Sequence, residues 1–141
     1  MKDTNKKYTL EDFQEIIRIL RGEYGCSWDK EQTHGSLAEC MTEEAEEAVC
    51  GIRHYEETGD AENMKEELGD VLLQIVMHAQ LAEEEGLFTM EDILYGICEK
   101  MIRRHPHVFE PDGTPLNGRE PDPANLTSWQ EIKSMEKQKN A

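Results

Sequence analysis

Glu44 and Glu47, and later Glu67 and Asp70, form two pairs of carboxylates spaced i, i+3. At that spacing both members of a pair lie on one side of an α-helix. Their neighbours separate them from the chain's many other acids. Met41, Glu44, Ala48 and Ile52 follow one another at steps of three and four, so Glu44 stands inside an apolar row. Asp70 leads into Leu73, Met77 and Leu81 at the same spacing, with Glu67 one turn before it. If the two helices pack antiparallel, the four carboxylates converge. Left alone, such a cluster repels itself and loses solvation worth roughly several kcal/mol for each buried ion. Uptake of protons relieves it, and so does a divalent cation held between the oxygens. Hard oxygen ligands on rigid helices suit Mg²⁺ or Mn²⁺ better than Zn²⁺. The plainer alternative is a set of boundary acids in a very acidic chain, as Glu43, Glu46 and Glu66 partly are. A di-iron carboxylate bundle is disfavoured, because its Glu-x-x-His pattern occurs once, from Glu31 to His34, ahead of a helix.

The elements that must position these acids are helices. Thr9 caps a first one through LEDFQEIIRILRG, with Asp12 as the capping-box acid and Phe13, Ile16, Ile17 and Leu20 as its stripe. A polar loop, EYGCSWDKEQTHGS, follows. The second helix is expected over about 36–55, with Leu37, Met41, Ala45, Ala48 and Ile52 inward. The third runs over about 61–85 with Met64, Leu68, Val71, Leu72, Ile75 and Ala79, and Gly86 stops it. Thr89 caps a fourth reaching Arg104, with Ile93, Ile97 and Met101 inward, and Pro106 ends it. Residues 105–125 hold every proline in the chain and read as a loop or arm. A short last helix is expected over about 126–139. The fold class is therefore all-α: one domain over 1–141, a bundle of four long helices plus a short C-terminal helix. The thinly apolar last helix is expected to pack on a partner subunit or to close over a site.

The chain has 141 residues with 31 acids against 15 bases, a formal charge of -16. That balance argues against a nucleic-acid polymer or an anionic membrane as partner. Cys26, Cys40, Cys50 and Cys98 show no metal-finger spacing and read as reduced thiols. No apolar run reaches the roughly 20 residues of a membrane span. The N-terminal MKDTNKKYTLEDF carries no signal-peptide pattern, so the expected location is the cytoplasm.

Lys100, Arg103, Arg104, His105 and His107 form the densest basic stretch after the N-terminal tail. Lys100 and Arg104 are i, i+4 and share a helical face. They can grip phosphate oxygens, or merely pair with the helix end and nearby acids. Trp28 and Trp129 offer ring faces to a nucleobase, about 1–3 kcal/mol each where stacking occurs; half-buried packing is the alternative. Asp29, Lys30 and Gln32 stand where base edges could be read. His34 and His78 read as a cap or loop residue and a core-edge histidine, and His105 and His107 as fixing a helix end.

The stretch Glu43-Glu44-Ala45-Glu46-Glu47, followed by Glu67-Leu68-Gly69-Asp70, resembles the MazG-type nucleoside triphosphate pyrophosphohydrolases. So do LRGEYGCSWDKEQTHGSL over 20–37, ELGDVLLQIVMHAQLAEEEGLF over 67–88, KMIRRHPHVF over 100–109 and SWQEIK over 128–133. The resemblance covers residues 20–133. It implies a Mg²⁺-dependent, all-α, homodimeric enzyme that splits a nucleoside triphosphate between the α and β phosphorus atoms, releasing the monophosphate and pyrophosphate. By position, Glu44, Glu47, Glu67 and Asp70 would hold the metal, and Lys100, Arg104 and the adjacent Arg103 would contact phosphates. Trp28, Asp29, Lys30, Trp129 and Lys133 would lie near the nucleotide. Where the family usually has Pro, this chain has Ser27.

Water activation needs a base, and Glu47, then Glu44, are the candidates. The expected function is a Mg²⁺-dependent NTP or dNTP pyrophosphohydrolase, with Mn²⁺ as a substitute ion and non-standard triphosphates as candidate substrates. A narrower dCTP-, dUTP- or phosphoribosyl-ATP-cleaving enzyme would share the acids. The alternative from another class is a non-catalytic acidic helical dimer that binds nucleotide or protein.

Overall fold

The computed structural model describes residues 7–125 and 136–137. These are all-helical: α1 Leu10–Leu20, α2 Ser27–Glu31, α3 His34–Thr58, α4 Glu62–Glu84 and α5 Met90–Arg104, then a 3-10 turn at Pro123–Asn125. Among the described residues there is no strand, only an isolated bridge between Phe109 and Pro115. No described helix is long and apolar enough to cross a membrane. The chain divides into two compact units, Met1–Met90 and Glu91–Ala141. The expected helix over 126–139 lies outside the described residues, apart from helical Glu136 and Lys137.

In the first unit the local signals act as expected at two ends, and a glycine closes a third. Thr9 and Asp12 close a capping box on α1: the Asp12 amide donates to Thr9 Oγ1 at 3.1 Å and the Thr9 amide to Asp12 Oδ2 at 2.9 Å. α3 closes at Gly59. After α4, Gly86 takes φ 73°, its amide donates to Glu83 O at 3.1 Å, and the Leu87 amide donates to Ala82 O at 2.9 Å. That pair of bonds is a Schellman closure, which a left-handed glycine makes without steric strain. α3 starts earlier than expected, because Thr33 rather than Ser36 is its N-cap and Ser36 supplies the reciprocal bond.

α4 packs against both α3 and α1. Ile17, Leu37, Ala48, Val76, Met77, Ala79, Leu81 and Ala82 form the core. This corrects part of the expected stripes. Leu68 and Leu72 on α4 are 48% and 42% exposed, and Ile52 on α3 is 40% exposed. The run VLLQIVMHAQLA, residues 71–82, is apolar almost all round, so a helical period fits it in more than one way. Packing selects the face through Asp70, Met77 and Leu81.

The expected loop after α1 contains α2, with Ser27 at its first helical position. Proline is favoured there because its φ suits the helix and its missing N–H is not needed. With Ser27, other contacts hold the turn. Arg21, its side chain only 8% exposed, donates to Glu84 through Nε at 2.8 Å and Nη2 at 3.0 Å, and to the carbonyls of Asp29 and Gln32. Lys30 Nζ donates to Glu23 O at 2.8 Å.

In the second unit, the arm after α5 closes on itself. Glu110 N donates to Thr114 O and Leu116 N to Val108 O, both at 2.8 Å, and Leu116 is buried. A segment expected as an open arm therefore carries its own small apolar anchor. Its prolines remove amide donors but leave these amides free to pair.

Candidate functional site

Gly51 and Met64 explain why the acids meet. A Cβ on Gly51 would stand 3.1 Å from Met64 Cα and 3.3 Å from Met64 N. The backbones of α3 and α4 thus approach closely at one point. Glu47 lies one turn before Gly51 on α3, and Glu67 one turn after Met64 on α4. The antiparallel pair therefore brings its acids together beside its tightest contact.

Carboxylate oxygens of Glu44, Glu67 and Asp70 all lie within 4.8 Å of one another. The three side chains are half-buried. Glu44 Oε2 and Glu67 Oε2 are closed off from solvent, and no hydrogen-bond donor among the described residues reaches them. Burial, then the neighbouring Glu47 and Asp70 carboxylates, pushes the Glu44 carboxyl above its ordinary value. Burial and Glu47 do the same to Glu67. Glu47 is exposed, and its carboxylate is among the causes that raise both Glu44 and Glu67. Converging carboxylate oxygens, two of them closed off without a donor and on groups whose proton affinity is raised, make the ligand set that a hard divalent cation requires. The residues present fit such an ion.

The other expected site residues fall in three places. Trp28, Asp29 and Lys30 sit on α2, where Trp28 is 56% exposed. All three already have structural partners there: the Trp28 carbonyl accepts from Gln32 Nε2, the Asp29 carbonyl accepts from Arg21, and the Lys30 ammonium donates to Glu23 O. Lys100, Arg103 and Arg104 lie on the last two turns of α5 in the second unit. Arg103 Nη2 and Arg104 Nε each donate to Glu136 Oε1 at 2.9 Å, and Arg104 Nη2 donates to Oε2. Trp129 and Lys133 lie outside the described residues. His105 Nδ1 donates to Met101 O at 2.6 Å, the helix-end role expected of it.

Sequence reasoning treated His34 and His78 separately, and the structure stacks them. Their ring centroids are 4.9 Å apart at 12°, with Nδ1 to Nδ1 at 2.7 Å. Burial, then His34, lowers the His78 proton affinity. Gln74, one turn before His78, is 7% exposed. The residues missed from sequence are Arg21, Gly51 and Glu136. Only Gly51 carried a signal, as a glycine inside a long helix.

Residues 32–109 match the family model described as the MazG nucleotide pyrophosphohydrolase domain. The chain belongs to this MazG family. It is 46% identical over 130 residues to the nucleoside triphosphate pyrophosphohydrolase/pyrophosphatase MazG of Thermotoga maritima, covering 90% of this chain and 46% of that protein. It is 41% identical over 127 residues to the nucleoside triphosphate pyrophosphohydrolase of Escherichia coli K12, covering 89% of this chain and 45% of that one. The uncharacterized protein YabN of Bacillus subtilis is 48% identical over 125 residues, 89% of this chain and 24% of YabN. The chain thus spans a quarter to about half the length of these relatives.

Proposed function

We propose that this chain hydrolyses nucleoside triphosphates to the monophosphate and pyrophosphate, with Mg²⁺ held by Glu44, Glu47, Glu67 and Asp70. The observation that carries the reading is the convergence of the Glu44, Glu67 and Asp70 oxygens, two of them closed off without a donor. The names of the relatives support the reaction class.

When bound, the ion supplies positive charge to the phosphates and neutralises charge that develops on the leaving oxygens. The chain's own residues do the rest. Glu44, Glu67 and Asp70 fix oxygen positions through two helices locked at Gly51. Glu47, exposed and outside that tight group of three, is the residue proposed to take the proton of the attacking water. A water that has lost its proton attacks, and pyrophosphate departs with the leaving oxygen's charge. Lys100, Arg103 and Arg104 are proposed to bind phosphate oxygens, which a protein of charge -16 would otherwise repel. Trp28 offers a ring face that accepts any base. Assembly as a homodimer belongs to the proposal and is supported by exposed Ile16, Leu68 and Leu72.

The test is incubation with a panel of canonical and damaged triphosphates and Mg²⁺, resolving pyrophosphate from orthophosphate. Pyrophosphate with monophosphate is expected, abolished in Glu47→Gln. Orthophosphate alone would mean a different phosphohydrolase, and no release from any triphosphate would favour a binding module.

A further inference from the structure

Arg103 and Arg104 do not stand ready for a ligand; a carboxylate of the same chain already holds them. Glu136 accepts from Arg103 Nη2 and from both Nε and Nη2 of Arg104. Its side chain is 11% exposed, against 35% for Arg103 and 23% for Arg104. The two bonds from Arg104 use one edge of the guanidinium, the side-by-side N–H pair that grips two oxygens of a carboxylate or of a phosphate alike. The Arg104 guanidinium, then Arg103, holds the Glu136 carboxyl well below the usual carboxylate range, at about 2. It therefore stays an anion under any physiological condition. Lys100, Arg103 and Glu136 also line one open hollow of about 440 Å³, together with Asp92 and Glu99. A solute entering that hollow meets the carboxylate and a guanidinium together.

We propose that Glu136 is an internal competitor for anions at the Arg103–Arg104 pair: its carboxylate takes the place of a phosphate, and a phosphate-bearing ligand binds those guanidinium groups by displacing it. The inference rests on the phosphate role proposed above for this basic strip. It adds that the role is latent. The apparent affinity for a polyphosphate equals the intrinsic one reduced by the fraction of molecules whose Glu136 has let go. Phosphates of higher charge displace a single carboxylate more readily than those of lower charge. A triphosphate and pyrophosphate therefore engage the strip where orthophosphate does not.

The test uses the full chain and pyrophosphate without metal, titrated by calorimetry into wild type, Glu136→Gln, Arg104→Ala and the double variant. Removing the charge while keeping the shape weakens the internal bonds, so Glu136→Gln is expected to bind pyrophosphate on the order of tenfold more tightly. Equal or weaker binding by Glu136→Gln overturns the competitor role and makes Glu136 a group that merely orients the arginines. The phosphate role of the strip fails separately, if Arg104→Ala leaves pyrophosphate affinity unchanged in both backgrounds. A second readout needs no variant. The carboxyl carbon resonance of Glu136 in labelled wild type should move towards that of a free carboxylate as pyrophosphate is added. If pyrophosphate binds and that resonance stays in place, the proposal is wrong.

Discussion

Gly51 and Gly69 sit inside facing helices and should respond oppositely to alanine. At Gly51 the new Cβ meets Met64 Cα at 3.1 Å, while an unstrained carbon pair stands about 3.5–4.0 Å apart. The obstacle is helix backbone, so α3 and α4 must part by roughly 0.5 Å. Overpacking of this kind costs about 1–3 kcal/mol. Alanine recovers about 1 kcal/mol of helix propensity. The net loss for Gly51→Ala is therefore about 0–2 kcal/mol, or up to roughly 6 °C in melting temperature. At Gly69 a Cβ meets nothing within 4 Å, so Gly69→Ala should stabilise by about 0.5–1 kcal/mol. The larger consequence is at the acids. The displacement enters one turn from Glu67, a carboxylate oxygen of which lies within 4.8 Å of those of Glu44 and Asp70, and one turn from the neighbouring Glu47. Mg²⁺ demands oxygens at about 2.0–2.1 Å in a near-ideal octahedron, whereas Ca²⁺ tolerates longer and less regular contacts. Gly51→Ala should therefore lose Mg²⁺ affinity on the order of tenfold, about 1.4 kcal/mol, and lose less for Ca²⁺. Melting with and without each ion, with calorimetric titration, measures both effects. A Gly51→Ala protein that melts above wild type and binds Mg²⁺ equally well would refute the argument that this contact sets the helix spacing.

Three further outcomes are expected. Without metal, the contribution of Glu44 and Glu67 to stability should rise as pH falls towards about 4.5, because they take up protons in the folded state that the unfolded chain does not yet bind, while His78, lowered by burial, opposes it below about 6.5; a His78→Gln background isolates the carboxylate gain. Further acidification reverses the trend, since Glu84 and Glu136, held below their usual range by Arg21 and by Arg104, lose their partners as they protonate; denaturant melts across pH show the maximum, and saturating Mg²⁺ should abolish the acid-side gain. Glu44→Gln and Asp70→Asn should abolish hydrolysis and Mg²⁺-dependent stabilisation while the metal-free protein stays folded or melts higher, and retained turnover in both would exclude the cluster as the reaction centre. Lys100→Ala with Arg104→Ala should weaken triphosphate binding by at least tenfold with a smaller change in Mg²⁺ affinity, and an equal loss of both would contradict a phosphate role.

Periodicity and caps made much of this legible in advance. Glu44 and Asp70 stood out because each interrupts an apolar row, and a local rule broken twice at matched spacing is where function concentrates. Thr9 with Asp12, and Gly86 after α4, carried their own geometry. The buried face of α4 was not legible, because nine of the twelve residues of 71–82 are apolar, spread around the helix, and only its neighbours decide which side is covered. α2 was missed because a helix of 5 residues has no period to detect. Long-range partners escaped altogether. Arg21 meets Glu84, His34 meets His78 and Arg104 meets Glu136 across separations of 63, 44 and 32 residues, and no local spacing encodes those meetings.

Arg21 leaves the chain with little redundancy at one place. α2 buries no residue of its own, so no spread of apolar contacts shares the task of seating it. One guanidinium joins the end of α1, the two carbonyls flanking the turn and a carboxylate on α4. A core loosens by degrees as contacts are lost, whereas an attachment that rests mainly on one ion, with the Lys30 bond to Glu23 O and the Cys26 amide bond to Leu20 O beside it, lets go nearly as a unit. The amides of 26–32 should then exchange with solvent together, ahead of global unfolding. High salt should hasten their release, because the Glu84 end of the tether is open to water.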